Sequence, residues 1–177
     1  VCPNIDVDLR MVDNAIEPFE LLEKGRTDVI FAAKQAGFSC DWTPLCQDAM
    51  YAILPPDYPL DGQETFPIEA FEGKEFLMPY GKFDLDVKAA LSANNVKPKI
   101  RPCHVDDETV IRMVGKGLGL SMMAEMMIRG RTNGVTAVPI EPATGRELGM
   151  GLHMRESMPD GILRLRECRR KAGWAGF

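Results

Sequence analysis

Histidine is nearly missing from this 177-residue sequence, which holds two, and aromatic residues make up only 7% of it. With His104 and His153 as the whole supply, a histidine general base has two positions to choose from, and the strand phase expected around His153 makes it an exposed residue. No apolar run approaches the ~18 residues that a membrane-spanning helix requires, and no signal segment opens the chain. Basic residues are outnumbered, 21 Lys and Arg against 26 Asp and Glu, and the net charge of −5 removes the basic face that a phosphate backbone needs. Also lacking are a G-x-S-x-G elbow, an H-E-x-x-H pair and a G-x-x-x-x-G-K-[ST] loop. The paired carboxylates Asp84/Asp86 and Asp106/Asp107 stand at expected helix starts, where capping accounts for them. Catalysis is therefore not expected, and no cofactor is implied.

Five cysteines (Cys2, Cys40, Cys46, Cys103, Cys168) form no C-x-x-C pair, and an odd, widely spaced set speaks against a disulfide framework and for a reducing, cytoplasmic compartment. Cys40, Cys46, Cys103 and His104 can be written as a tetrahedral metal set, yet their spacing matches no common zinc knuckle. Buried small hydrophobes are the simpler reading, so no metal site is expected.

An apolar share of 45% beside 27% charged residues is that of a folded chain. Ile5, Val7, Leu9 and Met11 alternate with charged residues and predict a strand with one greasy face. Asn14 and Glu17 have capping-box spacing, Ala15, Phe19 and Leu22 share a helical face, and Gly25 supplies a stop. Val29–Ala33 is an unbroken apolar run suited to a strand covered on both faces, which completes a parallel βαβ unit. Met50–Leu54, Phe76–Met78 and Ile100–Val105 predict further strands, with helices around Val87–Leu91 and after the cap Asp106. The basic run Arg164–Lys171 reads as a solvated face of a last helix.

Gly115-Lys116-Gly117-Leu118-Gly119 suggests a phosphate loop, but such a loop needs a strand before it and a helix after it. Here the helix comes first and the strand Leu118–Met122 follows, so these glycines end a helix and turn a corner.

The stretch from Val105 through Asp106-Asp107-Glu108-Thr109 to Gly119-Leu120-Ser121 resembles the effector-binding domain of LysR-type transcriptional regulators, in which a short helix ends in a V-x-x-G-x-G-[IL]-[AGS] corner feeding a strand. Cys2-Pro3-Asn4-Ile5 is similar to that family's Y-P-x-[IV] turn, and Leu22–Ile30 to its L-x-x-G-x-[LI]-D-[LV]-[AG] strand entry. Asp48–Leu60 resembles the segment ending in H-P-L, with Tyr58 in place of His. Four motifs in register cover nearly the whole chain.

The resemblance implies an α/β, type 2 periplasmic-binding-protein-like fold: two α/β lobes joined by two crossovers, lobe I at residues 1–44 and 147–177, lobe II at 45–146. It also implies that the family's first strand and helix, and its N-terminal winged helix-turn-helix, are truncated from this sequence. The function implied is a ligand-sensing domain that binds a small-molecule effector between the lobes and relays it, as part of a homodimer or tetramer, to a DNA-binding domain elsewhere; DNA contact would come only through that domain, and no membrane partner is expected. A freestanding solute-binding protein of a transport system is the alternative.

In open α/β sheets ligands sit at the carboxyl edge, where helix N-termini present unpaired N–H groups. The expected ligand-binding positions are Asp13 and Asn14 after the first strand, Ala33 after the second, Tyr80, Gly81 and Lys82 after the third, and Val105 and Asp106. Tyr80 and Lys82 lead, as an aromatic and a cation beside a glycine that allows close approach.

Overall fold

In a computed structural model of the chain, residues 6–12, 14–79, 84–153, 161, 162 and 164 are described. The elements in order are α1 (Glu17–Glu23), β1 (Val29–Ala33), β2 (Asp41–Leu54), β3 (Phe66–Pro67), a 3-10 turn (Ile68–Phe71), β4 (Glu75–Pro79), α2 (Asp84–Ala93), β5 (Lys99–Cys103), α3 (Asp107–Gly115), β6 (Ser121–Ala124), α4 (Glu125–Ile128), β7 (Thr136–Glu141) and β8 (Gly145–Leu152). The chain divides into two compact units, Val1–Cys46 with Glu147–Phe177, and Gln47–Arg146. Strands β2 and β8 are where the chain passes from one unit to the other.

In the first unit, Asn14 opens α1: its Oδ1 accepts from the Ile16 and Glu17 amides at 3.0 and 2.7 Å, and its Nδ2 donates to Glu17 Oε2 at 3.3 Å. Gly25, at φ 64°, ends the helix in a conformation that costs glycine least. Helix α1 buries Phe19 and Leu22 against Ile30 of β1, with Phe38, Cys40 and Trp42 packed around them. The Phe19 ring stacks on Phe38 at 5.0 Å and on Trp42 at 6.1 Å. β1 pairs antiparallel with β8, Val29 opposite Leu152 and Ala33 opposite Leu148.

Four expectations fail in this unit. Residues 6–12 form no strand, and Val7, Leu9 and Met11 are 72%, 84% and 84% exposed. Alternation becomes a strand only where a ladder and a buried face exist to receive it. The parallel βαβ unit is accordingly absent from the described residues, and β1 is not covered on both faces, since Phe31 is 60% exposed. His153, expected in water, is half-buried just after β8, with its Nδ1 buried and without a hydrogen bond among the described residues.

In the Gln47–Arg146 unit, β6, the Phe76–Pro79 run of β4 and the Met50–Leu54 end of β2 carry most of the burial, while β5 is exposed along Lys99–Pro102. β2 pairs antiparallel with β6 and β7, β7 runs parallel to β3, and β4 runs parallel to β5. Along β2, Ala52 and Leu54 face one apolar cluster with Phe66, Phe71 and Phe76, while Ile53 faces a second with Leu77, Val110 and Val114. Such two-faced burial is why these strands are continuous apolar runs rather than alternating ones.

The glycine corner explains how β6 is delivered. α3 ends at Gly115, Gly117 takes φ 73°, and a Cβ on Gly119 would meet the Glu75 carbonyl oxygen at 2.9 Å. That close approach lets Leu120 N donate to Glu75 O at 2.8 Å and accept Leu77 N on its own carbonyl at 2.7 Å, so the chain enters β6 parallel to β4. The motif is a packing device, as its helix-then-strand order requires.

Candidate functional site

Because β4, β5 and the entry to β6 run parallel, their carboxyl ends lie along one edge of this unit, and each is followed by a helix: β4 by α2, β5 by α3, β6 by α4. Open α/β sheets receive ligands at such edges. Three apolar side chains stand uncovered at the starts of those helices: Leu85 is 40% exposed, Val105 44% and Met126 50%. They provide greasy surface for the body of a small organic molecule.

Two helix N-termini at this edge already hold carboxylates of the chain itself. Asp106 caps α3, its Oδ1 accepting from the Thr109 amide at 2.8 Å. Hydrogen bonds from Thr109, side chain and backbone, hold the Asp106 carboxyl below the usual carboxylate range, with help from the charges of Arg112 and Arg131. At α4, the Met126 amide donates to Asp48 Oδ1 at 3.0 Å. Asp48 is buried in β2, and its Oδ2 receives both Nε and Nη2 of Arg146, at 2.9 and 2.8 Å. The other side of that guanidinium reaches Asp86 of α2, Nη1 to Oδ2 at 3.4 Å.

Of the eight expected ligand-binding positions, Asp13, Tyr80, Gly81 and Lys82 lie outside the described residues. Val105 and Asp106 sit together in the turn from β5 to α3, at the edge just described. Asn14 belongs to the first unit, where its side chain is engaged with the start of α1. Ala33 ends β1 there, its carbonyl accepting from Gln35 Nε2 at 3.5 Å. The Asp48–Arg146–Asp86 cluster escaped sequence reasoning: its members are 98 and 60 residues apart, and the one local signal is a charge placed in the otherwise apolar end of β2. Among the described residues no group of three His, Cys, Asp or Glu side chains could hold a metal ion, and no helix is long and apolar enough to cross a membrane. Cys40, Cys46 and Cys103 are free thiols, and burial, then Asp41, pushes Cys40 above the ordinary thiol value.

Comparisons with known proteins point one way. A family model described as the LysR substrate binding domain matches residues 1–173. The chain is 24% identical over 143 residues to the HTH-type transcriptional regulator TtuA of Agrobacterium vitis, a match that takes in 77% of this chain and 47% of that protein. The chain thus spans about half the length of the curated relative it matches. It is similar in structure to the CcmR regulatory domain of Synechocystis PCC6803 in complex with 2-PG, with TM-score 0.76, 16% identity and coverage of 90% of this chain and 79% of that one. It is also similar to the effector binding domain of QuiR in complex with shikimate, with TM-score 0.74, 13% identity and coverage of 90% and 78%. At such identities the structural likeness concerns fold.

Proposed function

This chain belongs to the LysR substrate-binding domain family, and from that premise we propose that the carboxyl edge of β4, β5 and β6 holds a small-molecule effector whose binding is passed to a DNA-binding domain. The fold is the periplasmic-binding-protein-like α/β fold that the resemblance implied, and ligand sensing for transcriptional regulation is its class of function. A freestanding transport protein is not favoured, since the curated relative is a regulator.

The finer reading is ours. Tyr80, Gly81 and Lys82, in the segment between β4 and α2, contact the effector together with Val105 and Asp106. The observation that supports this is the row of uncovered apolar side chains, Leu85, Val105 and Met126, at three consecutive strand ends of one unit. In the other unit, Asp13, Asn14 and Ala33 keep only their positions as support. The domain is non-catalytic, works in the cytoplasm within a homodimer or tetramer, and its two units are the family's lobes.

The test is a melting screen against small metabolites, including 2-PG and shikimate. A ligand present at ~100 times its Kd stabilises the folded state by about 2.7 kcal/mol, a readily measured rise in Tm. Tyr80→Ala and Lys82→Ala are expected to abolish the rise caused by a hit. A panel with no hit, or a rise that survives in both variants, rejects the site.

A further inference from the structure

Two consecutive residues of β8 carry opposite charges and are held by different units. Arg146 ends the Gln47–Arg146 unit, and its side chain is 9% exposed against Asp48, at 1%, and Asp86, at 20%. Glu147 begins the return to the first unit: its Oε1 accepts from Trp42 Nε1 at 2.8 Å and meets Lys34 Nζ at 3.4 Å. Its carbonyl also accepts the Lys34 amide at 2.8 Å. Gly149, two residues on, lies against the same indole, where a Cβ would come within 2.3 Å of the ring. Neighbouring side chains of a strand project to opposite faces, so one peptide bond separates the two anchorages.

We propose that Arg146 and Glu147 are positioning residues that form a relay: Arg146 follows α2 through Asp86, and Glu147 reports the resulting movement of β8 to Trp42. The guanidinium is planar and rigid. Its Nε and Nη2 are held by Asp48 and its Nη1 by Asp86, so a displacement of α2 turns the plane instead of being absorbed by a flexible stem. Burial raises the effect, because charge pairs in a dry environment tolerate little rearrangement. α2 follows directly on residues 80–83, so the relay gives the proposed effector site a route into β8 and rests on that reading for its biological meaning. Asp86 is dispensable for folding in this scheme, since its removal leaves both bonds of Arg146 to Asp48 in place.

The experiment needs no effector. In a Trp174→Phe background, Trp42 is the sole indole, and its N–H gives one assignable resonance in a nitrogen-15 spectrum. Asp86→Asn is expected to move that resonance and to speed exchange of the indole and Lys34 N–H groups by about tenfold. Asp86→Glu, which keeps the carboxylate, and Glu108→Gln, which removes the partner of Arg112 on α3, are expected to leave both as in the parent. Slow exchange of the Leu77 and Lys99 amides, bonded between neighbouring strands, certifies a folded variant. Should Asp86→Asn lose that protection, Arg146→Lys decides, since it keeps charge toward Asp48 but cannot bridge to Asp86 as well. An unmoved Trp42 signal in folded Asp86→Asn, or in Arg146→Lys, overturns the relay. A screen without hits would remove the effector reading while leaving a relay seen in these variants intact. A hit that perturbs residues 84–88 but leaves Trp42 still would remove the relay and keep the sensing site.

Discussion

The Gln47–Arg146 unit buries both faces of β6, of most of β4 and of the end of β2, whereas the unit carrying α1 and β1 gathers a few side chains around Phe19 and leaves Val7, Leu9, Met11 and Phe31 in water. Both segments are rich in apolar residues, so composition does not separate them. What differs is the number of neighbours each strand finds. β2 is paired to β6 and β7, with a cluster on each face, while residues 6–12 have the pattern of a strand and join no ladder among the described residues. Apolar residues stabilise by being covered, not by being present.

Two substitutions measure that contrast most directly. Phe71, fully buried and packed on Phe66 and Phe76 at 4.8 and 5.2 Å, sits in the aromatic row of the larger core. Phe71→Ala is expected to lower unfolding free energy by about 3–5 kcal/mol, while Phe31→Ser on β1 changes it by no more than about 0.5 kcal/mol. Urea unfolding of the two variants reads both values. Equal losses would mean that the first unit is better covered than its exposures indicate.

The same contrast holds for charge. Asp48 is shared among β2, β8 and α4, so Asp48→Asn removes the charge that holds Nε and Nη2 of Arg146, whose side chain is 9% exposed, and is expected to cost about 3–5 kcal/mol. Glu20 of α1 meets Lys24 at 3.1 Å with both side chains more than half exposed. Glu20→Gln is therefore expected to change stability by at most about 0.5 kcal/mol. If Asp48→Asn is as mild, the buried cluster is not what binds these elements together.

Which features were legible in the sequence follows the same division between local and distant causes. The Asp106 cap and the glycine corner are set by neighbours in the chain, and each appears where its motif stands; Asn14 bonds Glu17 as its spacing suggests, but α1 starts at Glu17 with Ile16 as its N-cap, so the pair is not a capping box. The family and its fold were legible because several such motifs recur in register. The supposed strand at Ile5–Met11 misled because alternation records a readiness to pair, not the presence of a partner. Arg146 was invisible for the opposite reason: nothing near it in sequence hints at Asp48 or Asp86. Of the candidate site, Val105 and Asp106 were placed by the rule that ligands meet strand ends, but the exposed Leu85 and Met126 beside them needed the folded chain.

A finer comparison sets the two helix starts against each other. α1 is opened by the neutral Asn14 and α3 by the ionised Asp106, and acid should tell them apart. Thr109, through its side chain and backbone, keeps the folded Asp106 carboxyl below the ordinary value of 3.8, with Arg112 and Arg131 contributing. Over the interval between the two values the unfolded chain binds more protons, so stability rises with pH there. The contribution of the charge is complete above the unfolded value and disappears as pH falls through the lower folded one. Denaturant unfolding between neutral pH and pH ~3 is expected to show wild type above Asp106→Asn by a constant margin down to about pH 5, then a margin that closes. Asn14→Ala should instead cost about 1 kcal/mol at every pH, since the amide it removes does not titrate. A margin for Asp106→Asn that persists at the acid end would show that shape, not charge, makes Asp106 the better start for α3, and the two helix ends would then differ in nothing that matters to stability.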